Sequence, residues 1–361
     1  MIDHQSPHPR FYQLYKQIRD RIQAGEYPPL AQIPSQQQLM EGYGVSLITV
    51  RRALERLTAE GYITREHGRG CFVAPEPNWL SSRERAIHLG VLVSSMQNSF
   101  FPEIIGGMES FLAGKDARLV IAHTRWQAEA EQAYIAHFLD QGCNGLLISP
   151  AQDAEAYRSL LRSGVPFIFF NHYYDDPEFS YVVTDDRDGA AQAVRHLLEL
   201  GHRRIGAVIG GRDLLTASER AEGYRSAMRD GVGDRCEDLL VQVDTFTFDE
   251  GREGLLTLLH RRPDLTAVFC SSEILAVGAA AALAERSRRI PQDVSLVAFG
   301  DSDTARFFQP TLTTVGQPTA EMGRRAMELL WEAMNAGPGA PSQIRLPCHL
   351  IARASTAPPP R

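Results

Sequence analysis

Apolar positions recur at helical spacing through the first seventy residues and then change to short unbroken runs. Leu14, Ile18 and Ile22 lie four apart and predict an amphipathic helix over 10–24, stopped by Gly25. Leu39 and Met40 give a short helix its apolar side. Ser35 suits its N-cap, because the hydroxyl accepts from an otherwise unpaired backbone N–H, and Gly42 and Gly44 suit its end. Ser46 caps a second helix with a stripe of Val50, Ala53, Leu54 and Leu57, which Gly61 ends. Leu47, Thr49, Arg51, Arg52 and Arg56 fall largely off that stripe. Tyr62-Ile63-Thr64 and Cys71-Phe72-Val73 predict a hairpin around His67-Gly68-Arg69-Gly70.

The prolines of 74–78 predict an extended linker. Beyond it, apolar runs at 88–93, 119–122, 145–148 and 166–170 read as buried strands, separated by helices near 102–114, 127–141 and 153–163. The rhythm restarts with a helix at 188–200. Strands at 205–209, 239–243, 267–270 and 294–299 then alternate with helices at 219–230, 249–261 and 273–286. A strand at 312–315, a helix at 319–336 and a late strand at 344–351 close the pattern, with a disordered tail expected from Thr356. Strands fed by helices make parallel sheets buried on both faces, here as two lobes. The predicted division is a head over 1–75, a linker over 76–86, a two-lobed α/β body over 87–353 and a tail over 354–361. Lobe 1 takes about 87–184 plus 314–342, and lobe 2 about 185–313 plus 343–353.

Charge sharpens this division. The net charge is −7, made of +2 over residues 1–75 and −9 over the rest. An acidic body repels phosphate, so only the head suits nucleic acid, through the arrangement of its arginines rather than their number. A helix such as 46–61 can lie in the major groove with its N-terminal side chains on base edges. The five cysteines are scattered, without a Cys-x-x-Cys pair, and no histidine spacing suits a metal. No apolar run reaches the ~20 residues that span a membrane. The polar stretch Met1 to Arg10 lacks an export signal's apolar core, so a cytoplasmic protein is expected.

Ile33-Pro34-Ser35, Gly44-Val45-Ser46, Thr49-Val50-Arg51, Glu60-Gly61-Tyr62-Ile63 and Gly68-Arg69-Gly70-Cys71-Phe72-Val73 resemble the winged helix-turn-helix of the GntR family of bacterial transcription regulators. The resemblance implies DNA contacts from Ser35, Gln37, Ser46, Leu47, Thr49, Arg51, Arg52, His67 and Arg69. Two places depart: Leu47 stands where the family usually has Arg, and Gln36-Gln37 where it often has a charge. Residues 87–353 resemble the LacI/GalR-type effector domain, of periplasmic-binding-protein fold. The match runs through Asn98-Ser99-Phe100-Phe101, Thr184-Asp185-Asp186, Leu200-Gly201-His202-Arg203-Arg204, Arg220-Ala221-Glu222-Gly223-Tyr224 and Pro310-Thr311-Leu312. Arabinose-responsive repressors share this architecture.

Ligands bind at the carboxyl ends of parallel strands. With the resemblance, that selects Ser95, Asn98, Phe100, Thr124, Trp126, Asn171, His172, Tyr173, Asp185, Asp186, Arg220, Ser272, Glu273 and Asp301. Asp185 also suits a helix cap, and His202 sits in a turn that looks structural. Ser272-Glu273 replaces the usual Asn-Asp, and Gly300 the usual Asp. Rival enzyme readings lack their residues. A GntR-type head fused to an aminotransferase body needs a Schiff-base lysine, and only Lys16 and Lys115 exist, neither suitably placed. No dinucleotide, nucleophile-elbow or phosphate-loop motif occurs. The expectation is a homodimeric repressor of carbohydrate-use genes, acting on operator DNA under a small sugar-like effector, with no cofactor; the alternative is a regulator that answers to a non-sugar effector such as a nucleoside or sugar acid, or that acts as an activator.

Overall fold

A computed structural model describes residues 10–66, 69–74, 87–96, 99–233, 239–336 and 340–360. The chain divides into two compact units. The first contains the head, in which three helices pack on a hairpin: α1 (Arg10–Gln23), α2 (Gln36–Tyr43), α3 (Leu47–Ala59), β1 (Ile63–Glu66) and β2 (Gly70–Val73). Its core gathers Leu14, Tyr15, Ile18, Leu39, Val50, Leu54 and Leu57. Apart from Tyr15, these are apolar positions that the sequence pattern assigns to the buried side of each helix. Ser35 and Gln38 form a reciprocal capping box on α2. Gly44, at φ 64°, ends that helix in the left-handed region, where glycine carries no Cβ penalty. Arg56 is drawn inward: it pairs with Glu60 at 2.9 Å and lies over the Tyr12 and Tyr15 rings.

The second unit carries the body apart from Ile87, Asp116–Arg118 and Glu155–Gly164, which are grouped with the first, and the body is built on two six-stranded sheets. One has the order β13-β7-β6-β5-β3-β4 and the other β14-β12-β11-β10-β8-β9. Lobe 1 holds β3 (Ile87–Val93), α4 (Phe100–Leu112), β4 (Ala117–His123), α5 (Ala128–Asp140), β5 (Gly145–Ile148), α6 (Ala154–Leu161), β6 (Phe167–Phe170), β7 (Tyr181–Thr184), α12 (Thr319–Ala336) and β13 (Gln343–Leu346). Lobe 2 holds α7 (Asp186–Glu199), β8 (Ile205–Ile209), α8 (Leu215–Val232), β9 (Leu240–Gln242), α9 (Phe248–Arg261), β10 (Ala267–Cys270), α10 (Glu273–Glu285), β11 (Ser295–Phe299), α11 (Asp303–Phe307), β12 (Thr313–Gly316) and β14 (His349–Ile351). Fully buried runs such as Leu146–Ile148 and Val208 with Ile209 are what a parallel sheet covered on both faces requires.

The chain crosses between lobes three times: after β7, after β12 and between β13 and β14. The single late strand expected over 344–351 is therefore two strands, one in each sheet. Pro347 and Cys348 break the ladder between them, and β14 turns antiparallel against β12. Strand β7 and the first turn of α8 were not anticipated.

The expected disordered tail is instead pinned to lobe 2. The Leu296 N–H donates to the Ser355 carbonyl at 2.9 Å, and the Ser355 hydroxyl donates to the Leu296 carbonyl at 2.6 Å. The buried His202 ring meets Thr266 Oγ1 at 2.9 Å through Nδ1 and donates from Nε2 to the Ala357 carbonyl at 2.8 Å. His196 Nε2 meets Thr356 Oγ1 at 3.0 Å. Burial holds both imidazoles below the ordinary histidine range. The unfolded chain therefore binds more protons than the folded one below about pH 6.5, and stability falls as pH drops through that value. Melting curves between pH 7.5 and 5 should show a falling midpoint for the wild type and a shallower fall for His202→Gln; parallel slopes would remove His202 from the effect.

Candidate nucleic-acid interface and effector cleft

On the head, α3 turns its stripe inward and leaves a polar ridge outside. Ser46 caps it: Thr49 N donates to Ser46 Oγ at 3.4 Å, and the two hydroxyls lie 3.0 Å apart. Arg51 and Arg52 are exposed and make no ion pair or hydrogen bond among the described residues. Leu47 is 38% and Ile48 68% exposed. Gln37 donates to Glu41 at 3.1 Å, and Ser35 is taken up by its capping box. Arg69 pairs with Glu66 at 2.6 Å and lies over the Phe72 ring, which holds one side of the wing; His67 lies outside the described residues. An open groove of about 600 Å³ between α1 and α2 is lined by Gln17, Arg21 and Tyr43. Its one cation is engaged, with Arg21 bonded to Glu26 and Tyr43.

In the body, the expected cleft residues separate into three groups. The first lines a narrow cavity between the lobes: Phe100, Glu273 and Asp301, together with Ser99, Glu103, Ser302, Gln317 and Thr319. Phe100 opens α4 and meets Phe101 edge-on at 5.3 Å, while Phe101 itself belongs to the core. Ser99 Oγ is buried without a partner among the described residues. Glu273 accepts from the Ser302 N–H at 2.8 Å and its hydroxyl at 2.9 Å. Burial pushes its carboxyl up, those bonds oppose the rise, and nearby Asp301 adds to it. Asp301 accepts from Thr314 and Arg353; against its partial burial, these bonds keep its carboxyl below the usual range.

The second group is a buried network under the cavity. Asp186 pairs with Arg220, whose Nη2 and Nε lie 3.0 and 3.1 Å from Oδ2. Arg220 also donates to the Ser271 carbonyl at 2.7 Å and lies 4.0 Å over the Phe299 ring. Burial pushes the Asp186 carboxyl up, and Arg220 and Thr184 pull against it. Asp185 caps α7 through the Asp188 N–H, and Ser272 caps α10 through the Leu275 N–H.

The third group stitches the lobes along one edge. Tyr173 donates to Glu219 at 2.9 Å, and Arg345 contacts both at 2.6 Å. His172 Nδ1 lies 3.1 Å from Thr216 Oγ1, and burial, then Arg220, drive this imidazole down to about 3. Trp126, 41% exposed at φ 59°, lies 5.1 Å from the His172 ring. Asn171 is buried at φ 66°, Thr124 donates to the Val93 carbonyl, and Ser95 is half-buried. Asn98 lies outside the described residues.

Sequence reasoning missed Ser99, Glu103, Ser302, Gln317 and Thr319 at the cavity. Gln317 carried a usable signal, as the first polar residue after an apolar strand end. Glu131 had none: it is fully buried in α5, where it accepts from Ala151 N and Gln152 and braces the loop after β5. Among the described residues no cluster suits a metal ion, and no helix is long and apolar enough to cross a membrane.

Comparison with known proteins agrees with both halves. Residues 12–73 match the bacterial regulatory proteins of the gntR family, and residues 194–356 match a periplasmic binding protein-like domain. The HTH-type transcriptional regulator CelR of Thermobifida fusca is 34% identical over 261 residues, spanning 71% of this chain and 76% of that protein. The arabinose metabolism transcriptional repressor of Halalkalibacterium halodurans is 30% identical over 332 residues, spanning 87% and 86%. A CelR–cellobiose complex superposes with a TM-score of 0.69 at 27% identity, covering 90% of this chain and all of that one. A LacI family regulator from Enterococcus faecium with bound ribose gives 0.67 at 29%, covering 75% and 99%. The chain thus belongs to the bacterial transcription regulators in which a gntR-type winged helix-turn-helix is joined to a periplasmic-binding-protein-like domain.

Proposed function

We propose that this regulator is a cytoplasmic homodimeric repressor of carbohydrate-use genes, released from a two-fold operator by a small neutral sugar. One observation carries the reading: a helix ridge with two unengaged arginines and a carboxyl-lined interlobe cavity occur in one chain. The relatives named for arabinose metabolism and the complexes with cellobiose and ribose support the sugar class. The chemistry of the cavity narrows it. Glu103, Glu273 and Asp301 line it beside the Phe100 ring, while Arg220 and Arg353 are already held by Asp186 and Asp301. Acidic acceptors and one ring suit a polyhydroxyl compound and repel a sugar acid or phosphate.

The cavity is about 20 Å³, room for a water and far below a ligand pocket of 300 Å³ or more. Entry of a sugar therefore requires the lobes to part, breaking the Tyr173–Glu219–Arg345 stitch. An effector shifts the balance only by binding open and closed states differently. A ~100-fold release from DNA needs about 3 kcal/mol of coupling. In the proposed complex Arg51 contacts phosphate or guanine, Ser46, Thr49 and Arg52 set the helix, and Leu47, Ser35, Gln37, His67 and Arg69 complete the contact surface.

Fluorescence anisotropy on an operator duplex should show Arg51→Ala weakened by roughly 10- to 100-fold, the worth of one good contact. Its effector affinity by calorimetry should stay as in the wild type; undiminished DNA binding would end the assignment. Arg220→Ala is a poor probe of the cleft, because it strands a buried Asp186 at a cost of roughly 3–5 kcal/mol. Thermal-shift screening against neutral sugars, sugar acids, sugar phosphates and nucleosides should find stabilisation by a neutral sugar. That shift should shrink in Phe100→Ala, with operator affinity kept; a hit confined to anionic compounds would refute the cavity reading.

A further inference from the structure

We infer that Ile48, in the first turn of the recognition helix, reads a thymine in the operator through its C5 methyl group. The inference rests on the proposal that α3 enters the major groove, and it adds what that helix recognises there. At 100° per residue, Ile48 and Arg52 fall one turn apart on the side of α3 opposite Val50, Leu54 and Leu57, which are buried to 1% or less. Ile48 is thus the most outward position of the first turn. It is 68% exposed and has no place in the head's core, not even among the half-buried residues packed against it. Leu47 beside it is 38% exposed. The polar groups of the same turn are turned to the helix itself: Ser46 Oγ caps Thr49 N and meets Thr49 Oγ1. What this turn offers a groove is an apolar tip, with Arg51 and Arg52 following it.

An isoleucine cannot donate or accept, so it cannot sort bases by their hydrogen-bonding edges. In the major groove of unmodified DNA the one methyl group on a base edge is that of thymine. Burying Ile48 against that methyl removes apolar surface from water on both partners. Placing it over a guanine or adenine edge would leave polar atoms facing a hydrocarbon.

The test uses the full chain and synthetic, unmethylated DNA. An operator is selected from random duplexes, and each thymine is then replaced singly by deoxyuridine, which deletes the methyl and keeps the base pair. Anisotropy should find one thymine per half-site whose replacement weakens wild-type binding about fourfold, the worth of one buried methyl-sized group. Ile48→Ala, a change at an exposed site, should bind the thymine and deoxyuridine operators equally while keeping the wild-type salt dependence. The inference falls if no replacement weakens the wild type, or if Ile48→Ala keeps the full difference between the two operators. Failure to enrich any sequence from the random pool would instead overturn the DNA-reading role of α3, and this inference with it.

Discussion

The Asp186–Arg220 pair is the constraint on which the body's cleft depends. Asp186 is the first residue of α7, directly after a lobe crossing, and it is fully buried. A carboxylate out of water must be bonded on every side or it destabilises the fold. Here Arg220 satisfies one oxygen and the Thr184 hydroxyl, at 2.6 Å, the other. Thr184 in turn accepts from Gln317 at 3.0 Å. A single bonded line thus runs from Gln317, past the second crossing, through the end of β7 to Asp186, Arg220 and the carbonyl of Ser271. Two of the three crossings and the carboxyl end of β10 are held in register by one buried charge pair.

That line explains why the cavity sits where it does. The carboxyl ends of two parallel sheets face each other across the crossings, and the groups above the buried pair converge there. Glu273 and Asp301 come from lobe 2, Phe100 from lobe 1, and Gln317 from the crossing itself. The far edge is closed by weaker means. The Tyr173–Glu219–Arg345 set is partly solvated, with the Arg345 side chain 37% exposed, so its bonds exchange with water at modest cost. The lobes are thus joined by a fully buried network beside two crossings and by a partly solvated set at Tyr173, Glu219 and Arg345.

The head works from the opposite economy. Its net charge is small, and several of its arginines are committed internally: Arg56 to Glu60, Arg21 to Glu26, Arg19 to Asp20 and Arg69 to Glu66. What remains on α3 is Arg51, Arg52 and an apolar tip. A counterion-releasing surface need not be large when the body beside it in the chain is acidic, since only one face is then attractive to phosphate.

The sequence alone determined the head almost completely, because a local helical period, Ser caps and Gly stops act within a few residues of one another. It also determined the two-lobed α/β rhythm, since buried parallel strands are unbroken apolar runs. Tertiary structure decided what long-range contacts control. Split into β13 and β14, the late segment answers to two different sheets, which no local pattern encodes. The tail through Ala357 is ordered by His202 and Ser295, more than sixty residues away in sequence for the nearer of the two. At the cleft, residue type pointed to Arg220 and Asp186 as ligand groups. Only packing revealed that each is the other's partner, and that Glu273, Asp301 and Phe100 line the cavity together with the unforeseen Ser99, Glu103, Ser302, Gln317 and Thr319.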